Sequence, residues 1–347
     1  MPDLRRDPVI GRWVIIATER SRRPVAVVDE IVMKEPEQCP FCDGNERLTP
    51  PEVLAFRTND SQPDKKGWWV RVVPNKFPAV DVRGQVRRMG EGMFDMMNGV
   101  GAHEVVIEAA SHDVSMADMP PHQIEEILWA YRERMIDLQK DLRFRYVMIF
   151  KNQGPKAGAT LAHAHSQIIA LPIIPKRVQE ELDGSEEYFR YKERCVFCDI
   201  IHQEQHDRLR VVAENEMFIA FLPFASRYPY ETWILPRHHE SSFADIQIGE
   251  VKDLATILKG LLIRFRAVLS DPDFNYVIHT APFSDRTSPH YHWHIELMPR
   301  LTRTAGFEWG TDFYINPVSP EEAAQHLLRA GETAIENGQS QVGSSAG

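Results

Sequence analysis

The chain of 347 residues and 39.9 kDa is long enough to bury a large core, and its length suggests two domains. Forty Lys and Arg against fifty Asp and Glu leave a net charge of −10, which argues against nucleic acid as a general partner but leaves small anions open, since a few arginines in a cleft suffice for those. The opening Met1-Pro2-Asp3-Leu4-Arg5-Arg6-Asp7 lacks the apolar run of a signal peptide, and the most apolar long stretch, 254 to 269, is broken by Lys259, Arg264 and Arg266; no membrane span and a cytoplasmic address are expected.

In chain order the first motif is Cys39-Pro40-Phe41-Cys42, and its spacing returns at Cys195-Val196-Phe197-Cys198. These pairs hold all four cysteines, and in a reducing compartment such spacing points to metal or redox chemistry before structural disulfides. Next comes Glu104-Val105-Val106-Ile107, followed eight positions on by His112, then Ser115, Ala117 and Asp118. The same spacings recur from Glu231-Thr232-Trp233-Ile234 to His239, Ser242, Ala244 and Asp245, so the chain reads as a diverged tandem repeat.

Each block leads into an amphipathic helix. One has a stripe of Ile124, Ile127, Leu128, Tyr131, Met135, Leu138 and Leu142, the other of Val251, Leu254, Ile257, Leu258, Leu261 and Leu262, both expected in the core. Strand-like runs follow, Tyr146 to Phe150 and Tyr276 to His279, then a polar loop, then a strand with paired histidines. That last strand is His163-Ala164-His165-Ser166-Gln167 in the first half and His292-Trp293-His294-Ile295-Glu296 in the second.

The repeat order yields two four-donor sets: Cys39, Cys42, His112 and His163, and Cys195, Cys198, His239 and His292. Two thiolates and two imidazoles suit a closed tetrahedral zinc site with a structural role, because no position remains for water or substrate. Thiol redox work or inert cysteines are the competing readings. Two structural Zn²⁺ per chain are expected, and the second site is also compatible with another divalent metal.

If His163 is a metal ligand, His165 is left beside the loop 152 to 160, which carries glycines and Thr160 as a phosphate cradle would. An imidazole whose far nitrogen is held by a backbone carbonyl is a nucleophile at neutral pH without help from a base. His165 is therefore the candidate nucleophile, with phosphorus the expected target. In the second half His294, Glu296 and Glu181 read as packing and hydrogen bonding ahead of a further metal cluster.

These features together resemble the galactose-1-phosphate uridylyltransferase family, a branch of the histidine-triad superfamily, over nearly the whole chain. The resemblance is carried by 5 to 14 and 19 to 24 near the N-terminus, Cys39 to Cys42, Val73-Pro74-Asn75-Lys76-Phe77-Pro78, the His-x-His-x-Gln strand, and 305 to 311 with 314 to 317. The last two segments look like bacterial members and the related nucleotide-sugar phosphorylases. It implies an α+β fold of tandem histidine-triad-like repeats, each an antiparallel sheet (half-barrel) with packed helices, spanning 1–183 and 184–331. The halves are expected to join through Asp183-Gly184-Ser185-Glu186-Glu187, and 332–347 to form a disordered tail.

The resemblance also implies a ping-pong reaction: His165 takes the nucleotidyl group of UDP-glucose and passes it to a hexose 1-phosphate, galactose 1-phosphate in the family. Arg20, Arg23, Asn75, Asn152, Gly158, Thr160, Gln167 and Phe307 would bind substrate, and the protein would be a homodimer with sites near its interface. Gln167 stands where histidine-triad hydrolases have a further His and cannot act as acid or base, which favours transfer over hydrolysis. The chain departs from the pattern at Ala164, where transferases commonly have Pro, at Thr160 in place of Ser, and in lacking a Lys near Gly306-Phe307. Lys156 and Arg300, with Arg20 and Arg23, are candidate substitutes for that charge. The alternative is a phosphorylase acting on ADP-glucose plus phosphate; a zinc-stabilised binding module without activity ranks below both.

Overall fold

The computed structural model describes residues 2–8, 11–17 and 36–343. In chain order the strands are β1 Asp3–Arg6, β2 Trp13–Ile16, β3 Leu54–Arg57, β4 Trp68–Pro74, β5 Arg88–Glu91, β6 Phe94–Asn98, β7 Ala102–Ile107, β8 Tyr146–Gln153, β9 His165–Leu171, β10 Val211–Glu214, β11 Phe218–Phe221, β12 Thr232–Pro236, β13 Phe274–His279 and β14 His294–Pro299. The helices are α1 Pro121–Gln139, α2 Lys176–Lys192, α3 Val196–Asp207, α4 Ile248–Leu269, α5 Gly306–Thr311 and α6 Pro320–Gly343.

Ten strands form one antiparallel sheet in the order β10-β11-β12-β14-β13-β8-β9-β7-β4-β3, and β2-β1-β6-β5 form a smaller one. The large sheet is a palindrome of the repeat: β3-β4-β7-β9-β8 of the first half matches β10-β11-β12-β14-β13 of the second, and the halves meet where β8 pairs with β13. A two-residue side-chain period sends alternate residues to opposite faces. Val106, Ile168, Ile149, Ile278 and Ile295 therefore point to one face and join the main core with α1, α4 and the first turns of α6. His165, Gln167, Val105 and Phe150 point to the other.

The two core helices follow the expected stripes. Pro121 opens α1, where its missing N–H costs nothing, and a Gln247/Glu250 capping box opens α4. All the named apolar residues of both stripes are buried except Leu142, which lies past the end of α1 and is 90% exposed. Buried charges tie helix to strand: Arg134 donates two 2.8 Å hydrogen bonds to Glu104.

Two expectations about boundaries are corrected. Residues 183–187 are not a linker but the middle of α2: Val178 and Leu182 anchor that helix, and the buried Ser185 donates to the Leu182 carbonyl at 2.9 Å. The 183/184 division thus falls inside a helix, and a single sheet runs through both halves. The segment from 332 is not an unstructured tail up to Gly343, because α6, seated through the fully buried Ala323, Ala324 and Leu327, runs to that residue. Residues 344–347 lie outside the described residues. Among those described, no helix is long and apolar enough to cross a membrane.

Candidate active site and metal clusters

Both four-donor sets assemble as the repeat requires. In each, one atom per residue lies within 4.8 Å of all the others. In the first, His163 Nδ1 is 3.6 Å from both Cys39 Sγ and Cys42 Sγ, and His112 Nδ1 is 3.3 Å from Cys42 Sγ. In the second, His239 Nδ1 and His292 Nδ1 lie 3.5 and 3.7 Å from Cys198 Sγ. Bonds of about 2.3 Å to sulfur and about 2.1 Å to nitrogen in a tetrahedron would separate the donors by roughly 3.6 Å, so the residues fit a tetrahedral metal.

The far nitrogens are fixed as metal-binding imidazoles usually are. His163 Nε2–H donates to the Ala109 carbonyl at 2.7 Å, His292 to Pro236 at 3.0 Å and His239 to Ser288 at 3.1 Å. Burial pulls His163 down to about 4, which keeps it neutral, the form in which an imidazole can ligate a metal. Burial, aided by the adjacent Cys39, pushes the Cys42 thiol up to about 12; a cation among the donors is what would make neighbouring thiolates tolerable.

Two residues beyond His163, β9 begins with His165. Its Nδ1–H donates to the His163 carbonyl at 2.8 Å, so Nε2 carries the lone pair. The His165 backbone is also held from the helix side, where the fully buried Lys151 donates to the His165 carbonyl at 3.1 Å and pairs with the fully buried Glu108 at 2.5 Å. Phe41, between the two cysteines, packs its ring 5.3 Å from the His165 ring, joining the Cys/His cluster to the strand.

A cavity of about 230 Å³ opens beside His165, and Gln167, Asn152, Gly158 and Thr160 line it, with Ala159 and Phe150. The loop leaves β8 through Gly154 and turns at Gly158, with φ of 81° and 87°. A Cβ at Gly154 would lie 2.1 Å from Asp273 Oδ1, so only glycine lets the loop approach β13. The cavity therefore gathers amides, a hydroxyl and an imidazole, the donors and nucleophile suited to a phosphoryl group.

The structure does not bring every expected residue to this cavity. Asn75 does not line it and lies behind His103, its Nδ2 3.1 Å from His103 Nε2. Phe307 lies on α5, 54% exposed, and does not line it. Arg300 stacks on Tyr228, 5.4 Å from the ring centre, and Lys156 is exposed with its backbone N–H on Asp273 at 2.6 Å. Arg20 and Arg23 lie outside the described residues. His103, which the sequence reading did not single out, lines the cavity and contacts Gln167. Strand alternation carries that signal: β7 pairs Val105 with Gln167, which puts His103 diagonally across from Gln167 on the same face.

The second half repeats the backbone arrangement without the opening. His294 Nδ1–H donates to the His292 carbonyl at 3.1 Å, as His165 does to His163. Its ring, however, is stacked on His279 at 4.8 Å and on Trp233 at 5.1 Å, and it is 1% exposed. Glu181 reaches in from α2 to His279 Nδ1 at 3.0 Å, and the Tyr291 hydroxyl donates to the same carboxylate at 3.1 Å. Against the effect of burial, Glu296 and Glu181 push His279 up to about 10, while burial and the charge on His279 pull His294 down to about 4. Despite burial, His279 and Arg227 hold the Glu296 carboxyl well below the usual range. Glu181, His279, His294 and Glu296 also bring four donors within 4.8 Å, but here the imidazolium and Arg227 already satisfy the carboxylates.

Comparison with known proteins settles the family. The family model described as "Galactose-1-phosphate uridyl transferase, N-terminal domain" matches residues 1–175, and a second, a domain of unknown function (DUF4921), matches 99–342. The ADP-glucose phosphorylase of Arabidopsis thaliana is 38% identical over 93% of this chain and 92% of its own length. The chain belongs to the galactose-1-phosphate uridylyltransferase family. The galactose-1-phosphate uridylyltransferase of Thermotoga maritima is 31% identical over 97% of this chain and all of its own length. Among solved structures, a uridylyltransferase aligns with a TM-score of 0.80 at 29% identity, covering 96% of this chain and 99% of its own. The Arabidopsis thaliana phosphorylase with bound ADP-glucose aligns at 0.73 and 36% identity, over 94% and 99%.

Proposed function

We propose that the protein is a nucleotidyltransferase that works through a covalent nucleotidyl-His165, with UDP-glucose as donor and a hexose 1-phosphate, galactose 1-phosphate first, as acceptor. The observation that carries this is the 2.8 Å hydrogen bond from His165 Nδ1 to the His163 carbonyl, which leaves Nε2 basic beside a cavity lined by Asn152, Gly158, Thr160 and Gln167. Nε2 attacks the α-phosphorus; the N–P bond forms as the bond to the sugar 1-phosphate oxygen breaks, and glucose 1-phosphate leaves with the electron pair. The positive charge on the ring is stabilised through Nδ1–H and the carbonyl of His163. A phosphate oxygen of the acceptor then attacks phosphorus, and the N–P electrons return to Nε2. Gln167, Asn152 and the loop at Gly158 and Thr160 hold the phosphoryl oxygens through both displacements.

Zinc is the metal best suited to both Cys₂His₂ sets, as a scaffold outside the reaction. A homodimer is the natural way to cover Phe307, Trp309, Phe313 and Ile315, which are 54, 79, 71 and 65% exposed within a few residues of one another in sequence. Phe307, Arg20 and Arg23 would then bind substrate in the assembled protein. Paired cysteines kept as thiols suit the cytoplasm.

A second reading is favoured by the 38% identity to the Arabidopsis thaliana ADP-glucose phosphorylase and by the missing Lys near Gly306: ADP-glucose as donor and inorganic phosphate as acceptor. The covalent intermediate is shared. UDP-glucose and ADP-glucose, each assayed with galactose 1-phosphate and with phosphate, separate the two. Turnover only with UDP-glucose and galactose 1-phosphate supports the first; turnover only with ADP-glucose and phosphate replaces it with the second.

A further inference from the structure

The two carboxamides in the cavity, Asn152 and Gln167, can each present either an N–H or a carbonyl to a phosphoryl group. Only the N–H helps, because the group is anionic. What fixes the choice is the partner at the other end of each amide.

Gln167 Oε1 lies 2.8 Å from His103 Nε2. The tautomer of His103 follows from its other nitrogen: Nδ1 accepts the backbone N–H of Ala79 at 3.0 Å, so the proton is on Nε2 and is donated to Gln167. Asn75 Nδ2, 3.1 Å from the same Nε2, meets a ring N–H rather than a lone pair and adds no hydrogen bond there. With Oε1 engaged, the NH₂ end of Gln167 is the one left for a ligand.

Asn152 is held in the same sense from the opposite half of the molecule. Asn275 is its register partner where β13 meets β8, and Asn275 Nδ2 donates to Asn152 Oδ1 at 2.8 Å and to the Ala157 carbonyl at 2.9 Å. Asn152 Nδ2 consequently faces the Gly158 side of the cavity, 3.9 Å from where a Cβ on that glycine would lie. One side chain from the second half thus sets both an amide and the loop next to it.

We propose that His103 and Asn275 are positioning residues that lock Gln167 and Asn152 with their N–H groups toward the phosphoryl oxygens of the nucleotidyl group at His165. The inference rests on the proposed function and adds to it a contribution from the repeat that holds no nucleophile. Preorganised donors avoid reorientation during the displacement, and for that reason amide orientation bears on rate more than on ground-state binding.

Two double-mutant cycles test this, read as the single-turnover rate of His165 labelling by UDP-[α-³²P]glucose, with ADP-[α-³²P]glucose in parallel. The first combines His103→Ala with Gln167→Ala, the second the nearly isosteric Asn275→Asp with Asn152→Ala. Each single positioning variant is expected to slow labelling about 10- to 100-fold with donor affinity changed less than about threefold, and each pair to be no slower than the cavity variant alone within about twofold. Multiplicative losses within the pairs, or single variants at the wild-type rate, overturn the proposal. If His103→Ala does not fold, Gln167→Glu asks the same question: it keeps the oxygen that His103 binds and removes the N–H, so it must label as slowly as Gln167→Ala, and wild-type labelling refutes the inference. A wild-type protein that never labels His165 overturns the proposed function and this inference together, whereas normal labelling with multiplicative cycles overturns only the inference.

Discussion

His165 and His294 occupy the same place in the two repeats, each with Nδ1 on the carbonyl of a histidine two residues earlier, at 2.8 and 3.1 Å. They differ in what meets Nε2. Beside His165 the chain leaves room by turning through Gly154 and Gly158; beside His294, α2 delivers Glu181, and His279 and Trp233 close on the ring. Position 167 is a neutral amide steered by His103, while its counterpart Glu296 is a carboxylate occupied by Arg227 at 2.6 Å. One scaffold therefore supports an imidazole lining a cavity in one half and a closed ion-pair cluster in the other, and the difference lies in a loop, a helix and a few side chains rather than in the sheet.

The largest expected effect separates the two histidines directly. His165→Ala should lower turnover by about 10⁴-fold or more with little change in Tm, whereas His294→Ala should keep turnover within about fivefold and lower Tm through its buried cavity. Comparable losses of turnover in both would erase the asymmetry. The two metal sets should behave alike instead: metal analysis should give two zinc per chain, and Cys39→Ser or Cys198→Ser should each remove one and destabilise the fold by several kcal/mol. One metal per chain would make the halves unequal in scaffold as well.

Gln167→Ala should slow nucleotidyl transfer about 10²-fold without unfolding the protein, as expected for one lost donor. Arg227→Ala, the corresponding disruption in the second half, should cost about 3 kcal/mol in urea unfolding by stranding Glu231 and Glu296, and leave His165 labelling within a few-fold. The smallest effect is at the seam: Arg266 of α4 holds the Asp118 carboxyl down to about 2. Because the folded pKa lies below the unfolded one of about 3.9, this pair adds stability above about pH 4 that is lost as pH falls toward 2. Asp118 is half exposed, so Asp118→Asn should remove no more than about 0.5 kcal/mol at pH 7, and progressively less as pH falls through the folded pKa.

Much of the scaffold was legible because it depends on spacing. The Cys-x-x-Cys pairs, the matching His112 and His239, and the His-x-His strands group both four-donor sets that the structure brings together, and they set His165 apart from His163. Helix stripes gave the core, since 3.6-residue periodicity records burial on one side. The linker at 183–187 was misread because Gly, Ser and acidic residues suggest a loop when Val178, Leu182 and Ser185 are not seen to be buried. His103 and Asn275 escaped notice for a different reason: each acts through a cross-strand partner 64 or 123 positions away, and register is a property of the assembled sheet. For Glu181, His294 and Glu296 the residue types favour packing and hydrogen bonding over a further metal, and the stacking of His279 on His294 with paired carboxylates supports packing and ion pairing.

Locating the covalent label shows whether one histidine of the repeat carries the nucleotide. The protein is incubated with UDP-[α-³²P]glucose and, separately, ADP-[α-³²P]glucose, quenched in alkali, digested and mapped by mass spectrometry. A nucleotidyl group is expected on His165 with at least one donor and none on His294, and no label in His165→Ala. Label on His294, or undiminished label in His165→Ala, would contradict it.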